Sequence, residues 1–212
     1  MLVPREDIAR VARAHGRLLD TIGGFGDQAV RRPSLLPGWT VAHVLTHVAR
    51  NADSHVRRAT AAATGEMVEQ YEGGLEGRAA EIEKGAACSA TDIVEDVRRS
   101  ARAVEVSWRD LAPAAWTSKS RDVGGMERPL FELPSRRWQE VEVHLVDLDV
   151  GISHREWPDD FVLEWLPRTR ERMRRHLPPE VAGVRFDHPA DELAWFYGRF
   201  RREDLPELPP WG

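Results

Sequence analysis

Cysteine occurs once in this chain of 212 residues, at Cys88, and lysine only twice, at Lys84 and Lys119. A single thiol excludes an internal disulfide and any cage of thiolates, so a metal here has to be held by nitrogen and oxygen donors. No apolar run approaches the ~20 residues that a membrane helix requires. The opening Met1-Leu-Val-Pro-Arg-Glu-Asp7 turns charged where a signal peptide would turn apolar, so the expected compartment is the cytoplasm, with no membrane partner. Excess positive charge is also lacking: the net charge of −5 leaves no basic footprint for nucleic acid. Arginine nonetheless clusters in Arg168-Thr-Arg-Glu-Arg-Met-Arg-Arg175. That segment reads as a solvated helix face, with attraction for a small anionic substrate as the sharper alternative.

What is present is helical periodicity. Ile8, Val11, Ala12, His15, Leu18, Leu19 and Ile22 recur at steps of three and four, between acidic Glu6 and Asp7 and the terminating Gly23-Gly24, and predict a first helix. Pro33, Pro37 and Gly38 make a turn that delivers Thr40 as N-cap of a second, with Val41, Val44, Leu45, Val48 and Ala52 as its stripe, ending near Thr64-Gly65. Residues 65–90 read as a long connection with a short helix near 75–84, placed to shape a site entrance. Ile93, Val97, Ala101, Val104, Trp108 and Leu111 form the seam of a third helix, closed by Pro113. A loop or short hairpin over 116–128 precedes a fourth, which starts between Pro129 and Pro134 and ends at Gly151. The expected fold is mainly α: a four-helix bundle over residues 1–151, then a small C-terminal α/β appendage and tail over 152–212. In the latter, a helix from Phe161 is interrupted by Pro167, Val184 to Phe186 is a strand candidate, and Asp191 to Tyr197 is helical. Trp211 in the proline-rich tail suggests docking onto a surface.

The chemistry concentrates on the second and fourth helices. Glu140, His144 and Asp147 fall at i, i+4 and i+7 on one face, and His43, His47 and Asn51 share a face of the other helix. A histidine from the second helix can therefore meet the Glu140/His144 pair across the bundle, giving three metal-ligand types. Taken alone, the spacing more often describes a solvated Glu/His pair than a metal site, and it leaves open which histidine approaches. His55 reads as peripheral, Trp39 and Trp138 as core anchors, and Cys88 as a bystander.

Leu36-Pro-Gly-Trp-Thr-Val-Ala-His-Val-Leu-Thr-His-Val-Ala-Arg-Asn-Ala52 resembles the N-terminal signature of the mycothiol-dependent maleylpyruvate isomerase family, a branch of the DinB-like metal-binding bundles. Arg137-Trp-Gln-Glu-Val-Glu-Val-His-Leu-Val-Asp-Leu148 is similar to its second signature, and Leu193-Ala-Trp-Phe-Tyr-Gly-Arg199 and Pro209-Pro-Trp211 to its C-terminal elements. The resemblance implies that His47, Glu140 and His144 bind a divalent metal, zinc by preference, with an exchangeable fourth position. His43 is then a buried, hydrogen-bonded histidine near the site. Asp147 and Arg199 match positions used around that site, both for catalysis and Arg199 also for binding the co-substrate. Their plainer readings are a hydrogen-bond partner for a ligand and a surface ion pair.

The implied activity is that of an enzyme using mycothiol as thiol co-substrate against a small, possibly anionic electrophile, in isomerisation of the maleylpyruvate type. The segment after Gly151 reads as shorter than the family's usual C-terminal domain. A mycothiol-dependent S-transferase is therefore the alternative, and a non-catalytic metal-binding or regulatory module the second. The chain is expected to act as a monomer or homodimer.

Overall fold

Val11, Ala14, Leu18 and Ile22 are buried along one face of α1 (Arg5–Ile22), with Glu6 and Asp7 at its positive end. After a one-turn helix, α2 (Asp27–Val30), the chain enters α3 (Val41–Ala63), with Thr40 as the expected N-cap. The cap is closed in an unusual way. Where a capping box places Glu or Gln three residues on, His43 supplies Nδ1 as acceptor for the Thr40 N–H at 3.2 Å. At the other end Gly65 adopts φ 77°, and Glu66 N–H reaches back to the Ala61 carbonyl at 2.8 Å, a helix stop at the expected place.

α4 (Gly74–Ala86) fills much of the long connection, and α5 (Ala90–Asp110) follows, capped by the Ser89 side chain on Asp92 N–H. A hairpin of β1 (Lys119–Arg121) and β2 (Glu127–Pro129) pairs Lys119 with Pro129 and Arg121 with Glu127. α6 (Leu133–Asp147) then carries Glu140 and His144. The helix stops four residues short of the expected Gly151. Asp149 takes φ 53°, which breaks the helix, and the freed carbonyls of Asp147 and Asp149 accept from Leu35 N–H (2.9 Å) and Arg32 (3.1 Å). The loop leading into α3 thus caps the end of α6. α3 packs on α5 and α6, and α1 on the same two, which makes the four-helix bundle, with Leu45, Val104, Trp108 and Val141 fully buried.

The computed structural model describes residues 3–174, 177 and 184–208, which fall into two units, Met1–Asp149 and Val150–Gly212. In the second, α7 (Asp159–Met173) packs on α8 (Pro189–Phe196). Pro167 does not interrupt α7: it sits on the exposed side, where the Leu163 carbonyl it leaves without a donor lies in a solvent-facing turn. Val184 to Phe186 form no strand, since no second strand occurs among the described residues of this unit to pair with them. Phe186 instead joins an aromatic cluster, 5.7 Å from Trp195 and 6.4 Å from Phe200. The basic face of α7 is partly paired: Arg168 with Glu164 and Arg170 with Glu192. Trp211 lies outside the described residues. No described helix is long and apolar enough to cross a membrane.

α4 lies on α3 through a contact that only glycine permits, since a Cβ on Gly85 would stand 2.4 Å from Thr46 Cγ2. Arg31 pins the end of α4 by donating to the Ala86 and Cys88 carbonyls. Gly→Ala within a helix ordinarily stabilises by about 1 kcal/mol. Here we expect Gly85→Ala to destabilise by about 1–3 kcal/mol, because the added Cβ meets the buried Thr46 at both Cγ2 and Oγ1, so that rotation about χ1 does not clear it. Adding Thr46→Ala restores part of that loss, and urea midpoints of the two variants check both signs.

Candidate metal centre

His47 sits on the second turn of α3, so the Thr40 cap and the Leu35–Asp147 bond fix its height against the last turns of α6. His47 Nε2 lies 3.2 Å from Glu140 Oε2, and His144 Nε2 lies 3.5 Å from the same oxygen. One donor atom from each of the three residues falls within 4.8 Å of the others. Four donors at about 2.1 Å from a tetrahedral ion stand about 3.4 Å apart. The two measured separations match that edge, and the donor set, two imidazoles and a carboxylate, suits a borderline divalent cation. His47 and His144 are 4% and 7% exposed, whereas Glu140 keeps 26%, so the centre opens to solvent past the carboxylate.

Outer contacts orient both imidazoles. His144 Nδ1 donates to Asp147 Oδ2 at 2.8 Å, which leaves Nε2 to face Glu140. Trp39, expected in the core, is half-exposed and leans on the site, its ring 5.8 Å from His47 and 6.2 Å from His43. Trp138 is buried as expected. His43 is hydrogen-bonded to Thr40 as expected, but it is part-exposed where burial was expected, because its Nε2 points outward toward Glu83 at 3.4 Å. Burial pushes the Glu140 carboxyl up, but the hydrogen bonds of His144 and His47 outweigh it and hold it well below the carboxylate range. Burial brings His47 down to about 4 against its Glu140 bond. His144 is raised instead, since bonds to Asp147 and Glu140 overcome burial.

Behind the centre lies a buried polar network that sequence reading did not anticipate. Arg137, fully buried one turn before Glu140, donates from Nη1 to the Val48 carbonyl at 2.8 Å and to Asn51 Oδ1 at 2.9 Å. Its Nε donates to His15 Nε2 at 3.1 Å, and His15 Nδ1 in turn donates to Glu105 at 2.8 Å. Arg137 therefore ties α6 to α3 one turn from each set of ligands. His55 lies outside the ligand group, buried against Trp108 with ring centroids 5.4 Å apart. Arg78 on α4 was also missed: its Nη2 donates to His47 Nδ1 at 3.2 Å.

Residues 11–149 match the family model for the mycothiol maleylpyruvate isomerase N-terminal domain. The chain belongs to this family. Two solved structures share the fold: the crystal structure of the mycothiol-dependent maleylpyruvate isomerase, and that of a variant with one histidine changed to alanine. Each is 22% identical, with a TM-score of 0.86 over 99% of this chain and 98% of that one. The segment after Gly151, expected to be short, is therefore not truncated relative to these neighbours. No curated protein matches the chain. Arg199 lies in the second unit just after α8, outside the residues that the family model matches, where Gly198 (φ 74°) lets Arg199 N–H reach the Ala194 carbonyl at 2.7 Å. Its guanidinium donates to the Tyr197 carbonyl.

His15 gives the bundle a pH signature apart from the ligands. Burial lowers it from 6.5 to about 4, against the raising effect of Glu105. The unfolded chain thus takes up the proton first as pH falls: this stability is complete above about pH 6.5 and is lost on descending toward pH 4, by about 3 kcal/mol for this group alone. Urea midpoints at pH 7, 5.5 and 4 should show the fall, and His15→Gln should make it shallower by this group's share, leaving that of His47 and His55, which burial also lowers.

Proposed function

We propose that the chain is a metal-dependent enzyme that uses mycothiol to attack a small electrophile, in cis-trans isomerisation of the maleylpyruvate type. The observation that supports this most is the convergence of His47 Nε2, His144 Nε2 and Glu140 Oε2, with Asp147 behind His144. Family membership supplies the class of reaction. The thiol has to come from outside, because the chain's own Cys88 is exposed and hydrogen-bonded to Lys84 at the far end of α4.

His47, Glu140 and His144 would hold the ion, zinc by preference for two nitrogens and one oxygen. A divalent metal there lowers the pKa of a coordinating thiol so that thiolate is available near neutral pH. Asp147 keeps the His144 proton on Nδ1, and Trp39 covers one side of His47. The accessible edge of Glu140 leaves the approach for thiol and substrate. The thiolate adds to the cis double bond, the resulting single bond rotates, and elimination returns the thiolate with the trans product, so no oxidant or second substrate is consumed. Arg199, in the second unit, is the residue we assign by resemblance to catalysis and to binding the co-substrate. The setting we propose is a cytoplasmic monomer or homodimer acting on a small anionic electrophile.

Metal content of the purified protein tests the first step: wild type should carry close to one zinc, and His47→Ala, Glu140→Gln and His144→Ala should carry little. Asp147→Asn should weaken affinity by about 10–100-fold without abolishing it. Equal zinc in wild type and His47→Ala would sink the ligand assignment. Turnover of maleylpyruvate that depends on mycothiol supports the isomerase. Retention of the thiol on a generic electrophile, without isomerisation, would mark an S-transferase, and inertness with bound metal a binding module.

A further inference from the structure

Arg78 stands out among the arginines around the centre by what it lacks. A cleft of about 420 Å³ runs between α3, α4 and the segment before α4, and three of its lining residues are Arg50, Arg57 and Arg78. Arg50 is engaged by Asp53 and Asp96, and Arg57 donates to the Glu69 carbonyl. Arg78 has no oxygen partner among the described residues; its hydrogen bond goes to a ring nitrogen, His47 Nδ1. Its guanidinium is held across two aromatic faces, 5.7 Å from the Tyr71 ring and 6.0 Å from Trp39, so it is placed without being neutralised. The acidic groups lining the same cleft do not supply the missing charge: Asp53 serves Arg50, Glu81 lies beside Lys84, and Glu72 is exposed.

The bond Arg78 does make is conditional on the state of His47. A guanidinium only donates, so His47 Nδ1 must present a lone pair, which places the ring proton on Nε2, facing Glu140. Coordination through Nε2 requires the opposite tautomer, with the proton on Nδ1. In that state Nδ1 and Arg78 both present donors, and their hydrogen bond cannot exist. Arg78 then has five donor positions, a fixed location on the wall of the cleft, and no acceptor among the described residues.

We propose that Arg78 is the carboxylate receptor of this site: it exchanges its bond to His47 Nδ1 for a carboxylate of the substrate lying in the cleft beside α4. The inference rests on the reading of His47 as a ligand, and it identifies the substrate class as a carboxylate-bearing electrophile. It also gives α4 a task, since the close contact at Gly85 and the pinning by Arg31 are what hold Arg78 over His47. A planar fork suits a carboxylate better than an ammonium does, which explains an arginine at this position in chemical terms.

The test uses maleate as a cis-dicarboxylate probe, titrated calorimetrically into wild type, Arg78→Met and Arg78→Lys, with the zinc content of each measured alongside. Maleate should bind Arg78→Met about 10–100-fold more weakly than wild type, the loss of one charge-assisted forked contact, and Arg78→Lys should recover part of it. Dimethyl maleate, which carries no charge, should not distinguish the three proteins. Zinc should bind Arg78→Met at least as tightly as wild type, since that variant has no bond to His47 to give up. Equal maleate affinities in wild type and Arg78→Met overturn the proposal whatever the zinc content, and weaker zinc binding by the folded variant overturns the exchange. Absence of zinc from wild type would instead sink the ligand assignment, while an Arg78-dependent maleate affinity would still carry the receptor role.

Discussion

An ionised carboxylate within a helical bundle is tolerable only where donors surround it, and at Glu140 those donors come from two different helices. His144 stands on α6 itself, one turn on, and cannot miss. His47 stands on α3, and a shift of that helix by one residue would carry it 1.5 Å along the axis and about 100° around it. The pairing of α3 with α6 is therefore the constraint on which everything else depends. Three contacts set it: Thr40 and His43 decide where α3 begins, Leu35 binds the last carbonyl of α6, and Arg137 spans from α6 to the Val48 carbonyl and Asn51. The first two act at one end of the helix pair and the third a turn beyond the ligands, so rotation and translation are both fixed.

The helices were legible because each carries its stripe within its own segment. Val41 to Ala52 and Ile93 to Trp108 repeat every three or four residues, and proline or glycine marks most boundaries, so α1, α3, α5 and α6 could be placed within a few residues. The seam Glu140, His144, Asp147 was legible for the same reason, being a property of one helix. The choice between His43 and His47 was not, since both share a face; it came from the resemblance. The structure supplies the physical distinction: His43 lies in the first turn, where an orphan backbone N–H needs an acceptor, while His47 is one turn deeper and faces α6.

What stayed illegible depends on contacts between distant segments. Arg137 reads as a surface residue in a chain rich in arginine, and its burial makes sense only once Val48, Asn51 and His15 are known to surround it. Arg78 lies in a segment of weak apolar periodicity, and its position follows from Gly85 meeting Thr46, which no local pattern announces. Val184 to Phe186 failed as a strand because β propensity needs a partner, and the aromatic residues there are satisfied by packing on Trp195 and Phe200.

The charges around the centre carry the functional argument one step further. Around the centre stand two carboxylates, Glu140 and Asp147, and two guanidiniums, Arg137 and Arg78, whose formal charges cancel when both ligand imidazoles are neutral, as metal ligands are. Arg137 is buried without a direct ion pair, and its strongest attraction is to Glu140, so its charge belongs to this balance rather than to a separate surface pair. A divalent ion added to a balanced set leaves two positive charges in excess, in a site that water enters past one edge of Glu140. On the proposed reading that excess matches what has to arrive: one thiolate and one carboxylate. Arg78 and Arg137 divide the task by burial. The guanidinium sealed in the bundle holds the helices that carry the ligands, and the one on the cleft wall is the only one of the two that a substrate can reach.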